Sequence, residues 1–159
     1  AMAGIGQASV RATPLMMAMV ASTIANNGVQ MKPYLISQTL DSDLNVVSTT
    51  TPTSLRTPIS QDTASQLSAL MQQVVSEGTG TSAQVAGVSV AGKTGTAETG
   101  SETGGPVTWF IGFAGTDITK PSIALAVVLD GGEQTASSGT GGSVAGPIAA
   151  SVIDAAVDQ

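Results

Sequence analysis

Four consecutive residues, Lys93-Thr94-Gly95-Thr96, bring together a cation, two hydroxyls and a position without a side chain. They follow Val88-Ser89-Val90-Ala91-Gly92, where small apolar and polar residues alternate, and they run on into Ala97-Glu98. Alternation of this kind reads as a β-strand. Such a strand can present hydroxyls and an ammonium on one edge, and its glycine lets another backbone come close. That is the hardware for holding an anionic, peptide-like substrate beside a sheet. Lys93, Thr94, Gly95 and Thr96 are therefore the candidate binding residues.

Composition narrows what else the chain can do. With 159 residues it is one ordinary domain or a piece of a larger one. The apolar fraction of 42% supports a buried core, and because aromatics are only 3%, that core must be built from Val, Ile, Leu, Met and Ala. The net charge is −6 with five basic residues, which argues against a nucleic-acid partner, since phosphate binding needs clustered Lys and Arg. Histidine and cysteine are both absent from the sequence. Zinc sites of the usual kind, disulfides, cysteine nucleophiles and Ser-His-Asp triads are excluded within these residues, and no cofactor is expected. No apolar run approaches the roughly 18 residues of a membrane span. The opening Ala1-Met2-Ala3-Gly4 reads as mid-protein sequence or a tag scar, and no signal peptide is visible.

The elements that must position the strand follow from capping and periodicity. Gly4-Ile5-Gly6-Gln7 opens as a flexible loop. Thr13-Pro14 marks a helix start and Asn26-Asn27-Gly28 its end, with Leu15, Met16, Met19, Val20 and Ile24 expected to be buried and Met16-Met17-Met19 to fill core. Residues 33–40 and 44–47 read as two strands joined by a turn at Asp41-Ser42-Asp43, and Thr49 to Pro58 as a surface loop. Ser60 caps a second helix whose stripe is Leu67, Leu70, Met71, Val74 and Val75. Gly78-Thr79-Gly80-Thr81 lacks the lysine of a phosphate loop and reads as a turn. After the Lys-Thr-Gly-Thr strand and a glycine-rich link from Gly100 to Pro106, strands are expected over 108–114 and 122–129. Asp130 to Gly142 reads as a long flexible loop, with the bland account of a solvated loop preferred over a mobile cleft wall. A closing helix from Gly146-Pro147 is expected to pack Ile148, Val152, Ile153 and Ala156 on the sheet. The order helix, hairpin, helix, three strands, helix gives an α+β fold, an antiparallel sheet flanked by helices, over residues 1–159.

Lys93-Thr94-Gly95-Thr96-Ala97-Glu98 resembles the third signature of the penicillin-recognising serine acyltransferases, whose other signatures are Ser-x-x-Lys and a serine–asparagine motif. Flanking segments are similar in the same order: Thr13-Pro14-Leu15 with Ile24-Ala25-Asn26-Asn27-Gly28, then Met71-Gln72-Gln73-Val74-Val75 before Gly78-Thr79-Gly80. Trp109-Phe110-Ile111-Gly112-Phe113 and Gly141-Gly142 before Ala145-Gly146-Pro147 continue the likeness. The resemblance is to the C-terminal part of the transpeptidase domain of a class B penicillin-binding protein of the actinobacterial type. Neither Ser-x-x-Lys nor Ser-x-Asn occurs here. The chain is thus expected to be the C-terminal part of a larger protein and to be inactive alone.

What the resemblance implies is acyl transfer through a serine ester, forming peptidoglycan cross-links and blocked by β-lactams. Lys93 and Thr96 then take the catalytic roles. The Thr96 backbone N–H is one oxyanion donor, and Lys93 adds positive potential and anchors the absent Ser-x-Asn serine. The Thr94 and Thr96 hydroxyls grip the substrate carboxylate, and Gly95 keeps the strand face open. The implied partners are the N-terminal part of the same protein, peptidoglycan stem peptides, β-lactam antibiotics and other cell-wall synthesis proteins, with no nucleic acid. The implied location is the extracytoplasmic face of the bacterial membrane, anchored by a segment outside these residues. Glu98 is read as structural or loop-anchoring, Trp109 as packing, and Arg11 and Asp130 as surface or loop-pinning residues. A D,D-carboxypeptidase, a β-lactamase or a non-catalytic β-lactam sensor would use the same strand.

Overall fold

The computed structural model describes residue 6 and residues 10–98, 105–131 and 139–157. The expected opening loop, apart from Gly6, lies outside these residues, as does most of both the 100–106 link and the 131–142 loop. Helix α1, Pro14–Ala25, starts where its cap predicts: the Thr13 hydroxyl accepts from the Met16 N–H at 3.2 Å. It ends through two left-handed residues, Asn27 and Gly28. Helix α2, Gln61–Ser76, is capped by the Ser60 hydroxyl, which accepts from the Thr63 N–H at 3.1 Å.

Between the helices the chain makes a projecting arm. Strand β1 (Gln30–Met31) pairs with β4 (Ser54–Arg56), and beyond them β2 (Gln38–Leu40) pairs with β3 (Val46–Thr49), both antiparallel. The expected loop over 49–58 therefore contains a strand. Its partner lies 26 residues back, where Arg56 Nε donates to Gln30 Oε1 at 2.7 Å, so no local alternation announces it. The expected turn is present: the Asp41 carboxylate accepts from the backbone N–H groups of Asn45 and Asp43, each at 2.9 Å. These bonds, with that from the Asn45 side chain, hold the Asp41 carboxyl below its ordinary range.

The body of the fold is one antiparallel sheet in the order β5 (Ser89–Ala97), β6 (Val107–Gly115), β7 (Ile123–Leu129). Strand alternation sorts its side chains onto two faces. On one face Val90, Phe110, Ala114 and Leu125 pack with Val75 of α2 and with Ala145, Ala149 and Ile153, the last two on helix α3 (Gly146–Val157). On the other, Ala91 and Phe113 pack with Ala21 and Ile24 of α1 and Met71 of α2. The α+β architecture thus stands as expected.

Several large apolar residues do not sit where the periodicity placed them. Leu15 is 60% exposed and Met16 56%, with Val20 also exposed and Met17 and Met19 half-buried, so the methionine group does not fill core. Leu70, at 58%, falls outside the buried line of Ala64, Met71 and Val75. On α3, Ile148 and Val152 are exposed, while Gly146, Ala149 and Ile153 are buried. The physical reason is common to all three helices. Each buries a narrow line of mixed size, Ala21 and Ile24 on α1, Ala64, Met71 and Val75 on α2, Gly146, Ala149 and Ile153 on α3, so a stripe chosen by residue size alone misses it.

Candidate active site on the edge of the sheet

Strand β5 has a hydrogen-bonded neighbour only in β6, so among the described residues its other edge is free. On an edge strand every second residue turns its N–H and C=O away from the sheet. The register is continuous along the strand, pairing Lys93 with Ile111, Thr94 with Phe110, Gly95 with Trp109 and Thr96 with Thr108. Thr94 and Thr96 therefore share the face that carries Phe110 and α3. Lys93 and Gly95 share the opposite face with Ile111 and Trp109.

The two faces are built differently. A Cβ at Gly92 would lie 2.2 Å from the Phe110 ring, so the aromatic lies flat on the strand just before the lysine. A single π-helical turn, Gly141–Ala145, leads into α3 and presses on the same strand. A Cβ at Gly141 would meet the backbone oxygens of Trp109 and Gly95 at 2.4 and 2.5 Å. This glycine lets the turn approach closely enough for the Gly141 N–H to donate to the Thr96 hydroxyl at 3.2 Å. The turn is itself held by a reciprocal cap: the Ser143 N–H donates to the Thr140 hydroxyl at 3.2 Å, and the Thr140 N–H to the Ser143 hydroxyl at 2.9 Å.

The Thr94 hydroxyl is 2.6 Å from that of Thr79, which lies on the link after α2. Ser82 donates to the Gly142 carbonyl, tying that link to the π-turn. Lys93 Nζ donates to the Thr94 carbonyl at 2.6 Å, and the lysine is exposed. Gly95 is unlike Gly92, because a Cβ there would touch only the Trp109 Cβ, at 3.4 Å, an ordinary contact. Trp109 is half-buried opposite Gly95, and Glu98 is exposed just past the strand end. Thr108, the register partner of Thr96, is 4% exposed, and among the described residues its hydroxyl has no hydrogen-bond partner. A surface depression bordered by Gln72, Gln84 and Val88 lies apart from Lys93–Thr96. Among the described residues the candidate site is a strand edge.

All four residues singled out from the sequence thus lie together on one edge, the hydroxyls on one face and the cation on the other. Thr79, the Thr140–Ser143 turn and Thr108 were not singled out. Each comes from another part of the chain, and Gly78-Thr79-Gly80, although part of the family likeness, carries no local sign that Thr79 reaches Thr94.

An antiparallel sheet flanked by helices, with Lys-Thr-Gly on its free edge, defines a penicillin-recognising acyltransferase fold. The chain belongs to the family described as penicillin binding protein transpeptidase domain, whose profile matches residues 1–154. It is 42% identical over 164 aligned residues to a peptidoglycan D,D-transpeptidase PbpA of Mycolicibacterium smegmatis, covering 99% of this chain and 32% of that relative. It is 32% identical to stage V sporulation protein D of Bacillus subtilis, over 91% of this chain and 22% of the other. Among solved structures, penicillin-binding protein A from M. tuberculosis as a penicillin G acyl-enzyme complex superposes with a TM-score of 0.81 at 40% identity. That match covers 98% of this chain and 34% of the other. The D,D-transpeptidase domain of a peptidoglycan glycosyltransferase from Eggerthella lenta gives 0.76 at 35% identity, covering 92% and 33%. The chain spans about a third of the length of the PbpA relatives it matches.

Proposed function

We propose that these residues form the Lys-Thr-Gly wall of a peptidoglycan D,D-transpeptidase. Its nucleophilic serine and Ser-x-Asn motif would lie in a preceding segment of a longer protein. The observation that carries this reading is the edge strand itself. Thr94 and Thr96 are held by Thr79 and Gly141, while Lys93 is exposed on the opposite face. A β-lactam acyl-enzyme on a relative that aligns over 98% of this chain supports it.

In this mechanism the Thr96 N–H donates to the developing oxyanion. The Thr94 and Thr96 hydroxyls bind the terminal carboxylate of a D-Ala-D-Ala donor or of a β-lactam. Lys93 supplies positive potential and holds the second serine for proton transfer. An oxyanion donor of this kind is worth about 10²–10³ in rate. The serine of the preceding segment would attack the penultimate D-Ala carbonyl and release the terminal D-Ala, and an amine of a neighbouring stem peptide then takes the acyl group and frees the serine. The same reading puts the protein at the extracytoplasmic face of the membrane, with other cell-wall synthesis proteins as partners.

The test is labelling of the longer protein by a fluorescent penicillin. Covalent labelling is expected with the preceding segment present and none with these 159 residues alone. An unlabelled longer protein with its serine intact would sink the enzyme reading. Turnover of a D-Ala-D-Ala donor with and without an acceptor amine separates transpeptidase from carboxypeptidase.

A further inference from the structure

Thr79 lies outside the Lys-Thr-Gly strand, yet its hydroxyl is 2.6 Å from that of Thr94. Two hydroxyls in contact share one hydrogen bond, and either can be the donor. The direction decides what Thr94 can do. If Thr94 donates to Thr79, its only proton is spent and it offers an anion nothing but lone pairs. If Thr79 donates to Thr94, the Thr94 proton is left to point at an incoming carboxylate. Resting on the reading of this edge as a carboxylate-binding wall, we propose that Thr79 is a positioning residue: it donates to Thr94 and thereby aims the Thr94 proton at the substrate carboxylate.

The rest of the link holds Thr79 where this role requires it. The Gly80 N–H donates to the Val74 carbonyl at 2.9 Å, closing the end of α2. A Cβ at Gly142 would lie 2.2 Å from the Thr79 carbonyl oxygen, so the π-turn rests directly on the Thr79 backbone. The Ser82 hydroxyl is tied to the Gly142 carbonyl. Thr79 is thus braced between the end of α2 and the turn that also contacts Thr96. The two hydroxyls of the strand are served from separate sides, Thr96 by a backbone N–H and Thr94 by a side chain. A hydroxyl that accepts a hydrogen bond is also a better donor, because chained bonds polarise one another.

The experiment measures acylation of the longer protein by a penicillin and by its methyl ester, resolved into the apparent binding constant and the limiting acylation rate. Thr79→Val removes the donor at nearly constant volume. The expected result with the free acid is about a five- to tenfold fall in the second-order rate constant, carried by weaker binding and not by the limiting rate. With the ester, which has no carboxylate to receive the proton, Thr79→Val is expected to react like the wild type. Thr79→Ser should restore the rate with the acid, because it restores the donor. A Thr79→Val variant that acylates like the wild type with the acid would overturn the proposal. So would an equal loss with acid and ester, which would mean that Thr79 only supports the loop. If valine unfolds the link, Thr79→Ala against Thr79→Ser reads the same contrast. A wild-type protein that reacts with acid and ester at the same rate would refute the carboxylate-binding reading itself, a failure distinct from those two.

Discussion

The two faces of the β5–β6–β7 sheet carry similar amounts of apolar side chain but differ in what covers them. On the α3 face Phe110, Ala145, Ala149 and Ile153 have no measurable exposure, and the π-turn contacts the strand end that holds a half-buried Thr94 and an exposed Thr96. On the opposite face α1 covers Ala91 and Phe113, while Trp109, Ile111, Ala126 and Val128 stay half-exposed beside an exposed Lys93. Helix α1 adds Leu15, Met16 and Val20 to the uncovered area. A helix apolar nearly all round normally lies inside a larger core. The difference implies a division of labour along one strand. The closed face fixes hydroxyl geometry, and the open face leaves the cation and the glycine for something else to approach.

The sharpest way to break this contrast is at Lys93. Lys93→Met should lower the penicillin acylation rate of the longer protein by about 10²-fold or more, the range for loss of a group that assists proton transfer. The thermal midpoint should stay within a degree or two, since the exposed ammonium contributes little to packing. A variant acylating at the wild-type rate would remove Lys93 from the site. A strongly destabilised variant would show that the face is not open in the longer protein.

Phe110 and Ile111 are neighbours on opposite faces and test packing directly. In the 159-residue chain, Phe110→Ala should cost about 3–5 kcal/mol in urea denaturation, the usual loss for a buried aromatic ring. Ile111→Ala should cost well under that, about 1–2 kcal/mol, because its side chain is only half covered. In the longer protein the Ile111 penalty should rise toward that of a fully buried residue. An unchanged penalty there would mean that nothing covers the open face.

Gly92 and Gly95 make a finer version of the same comparison within one strand. Gly92→Ala drives a methyl into the Phe110 ring and should destabilise by about 1–3 kcal/mol. Gly95→Ala meets only an ordinary contact with Trp109, so the melting temperature should hardly move, while acylation should slow as the methyl occupies the approach to the strand. If both variants lose stability equally, the distinction between a fold glycine and a site glycine fails.

These pairs also show what a one-dimensional reading can and cannot see. The caps Thr13 and Ser60, the Asp41 turn and the Lys93–Thr96 strand are local in sequence, and each falls where its residue types put it. Strand β4 was hidden because its partner is β1, far back in the chain. The helix faces were misjudged because size was used as a guide to burial. In this fold Ala21, Ala64, Ala145 and Ala149 are buried, and Leu70, Ile148 and Val152 are exposed. The surroundings of the site were illegible for a related reason. Thr79, Gly141 and Thr108 gain meaning only from register and loop closure, which bring them to Thr94 and Thr96 across 15, 45 and 12 residues of chain.

Thr108 gives the smallest effect and the most specific one. On the closed face a buried hydroxyl normally has a partner, because leaving it unpaired forfeits its hydration without return. Among the described residues the Thr108 hydroxyl has none, although it lies in register with Thr96, whose own hydroxyl accepts from Gly141. Thr108→Val keeps the shape and removes the unpaired group, so stability should rise by about 1 kcal/mol. The acylation rate should not change if the Thr96 hydroxyl is held by the π-turn alone. A loss of stability would mean that the Thr108 hydroxyl is satisfied in solution by a bound water or by Thr96. A slower acylation rate at unchanged stability would move Thr108 from the packing of the closed face into the support of the site.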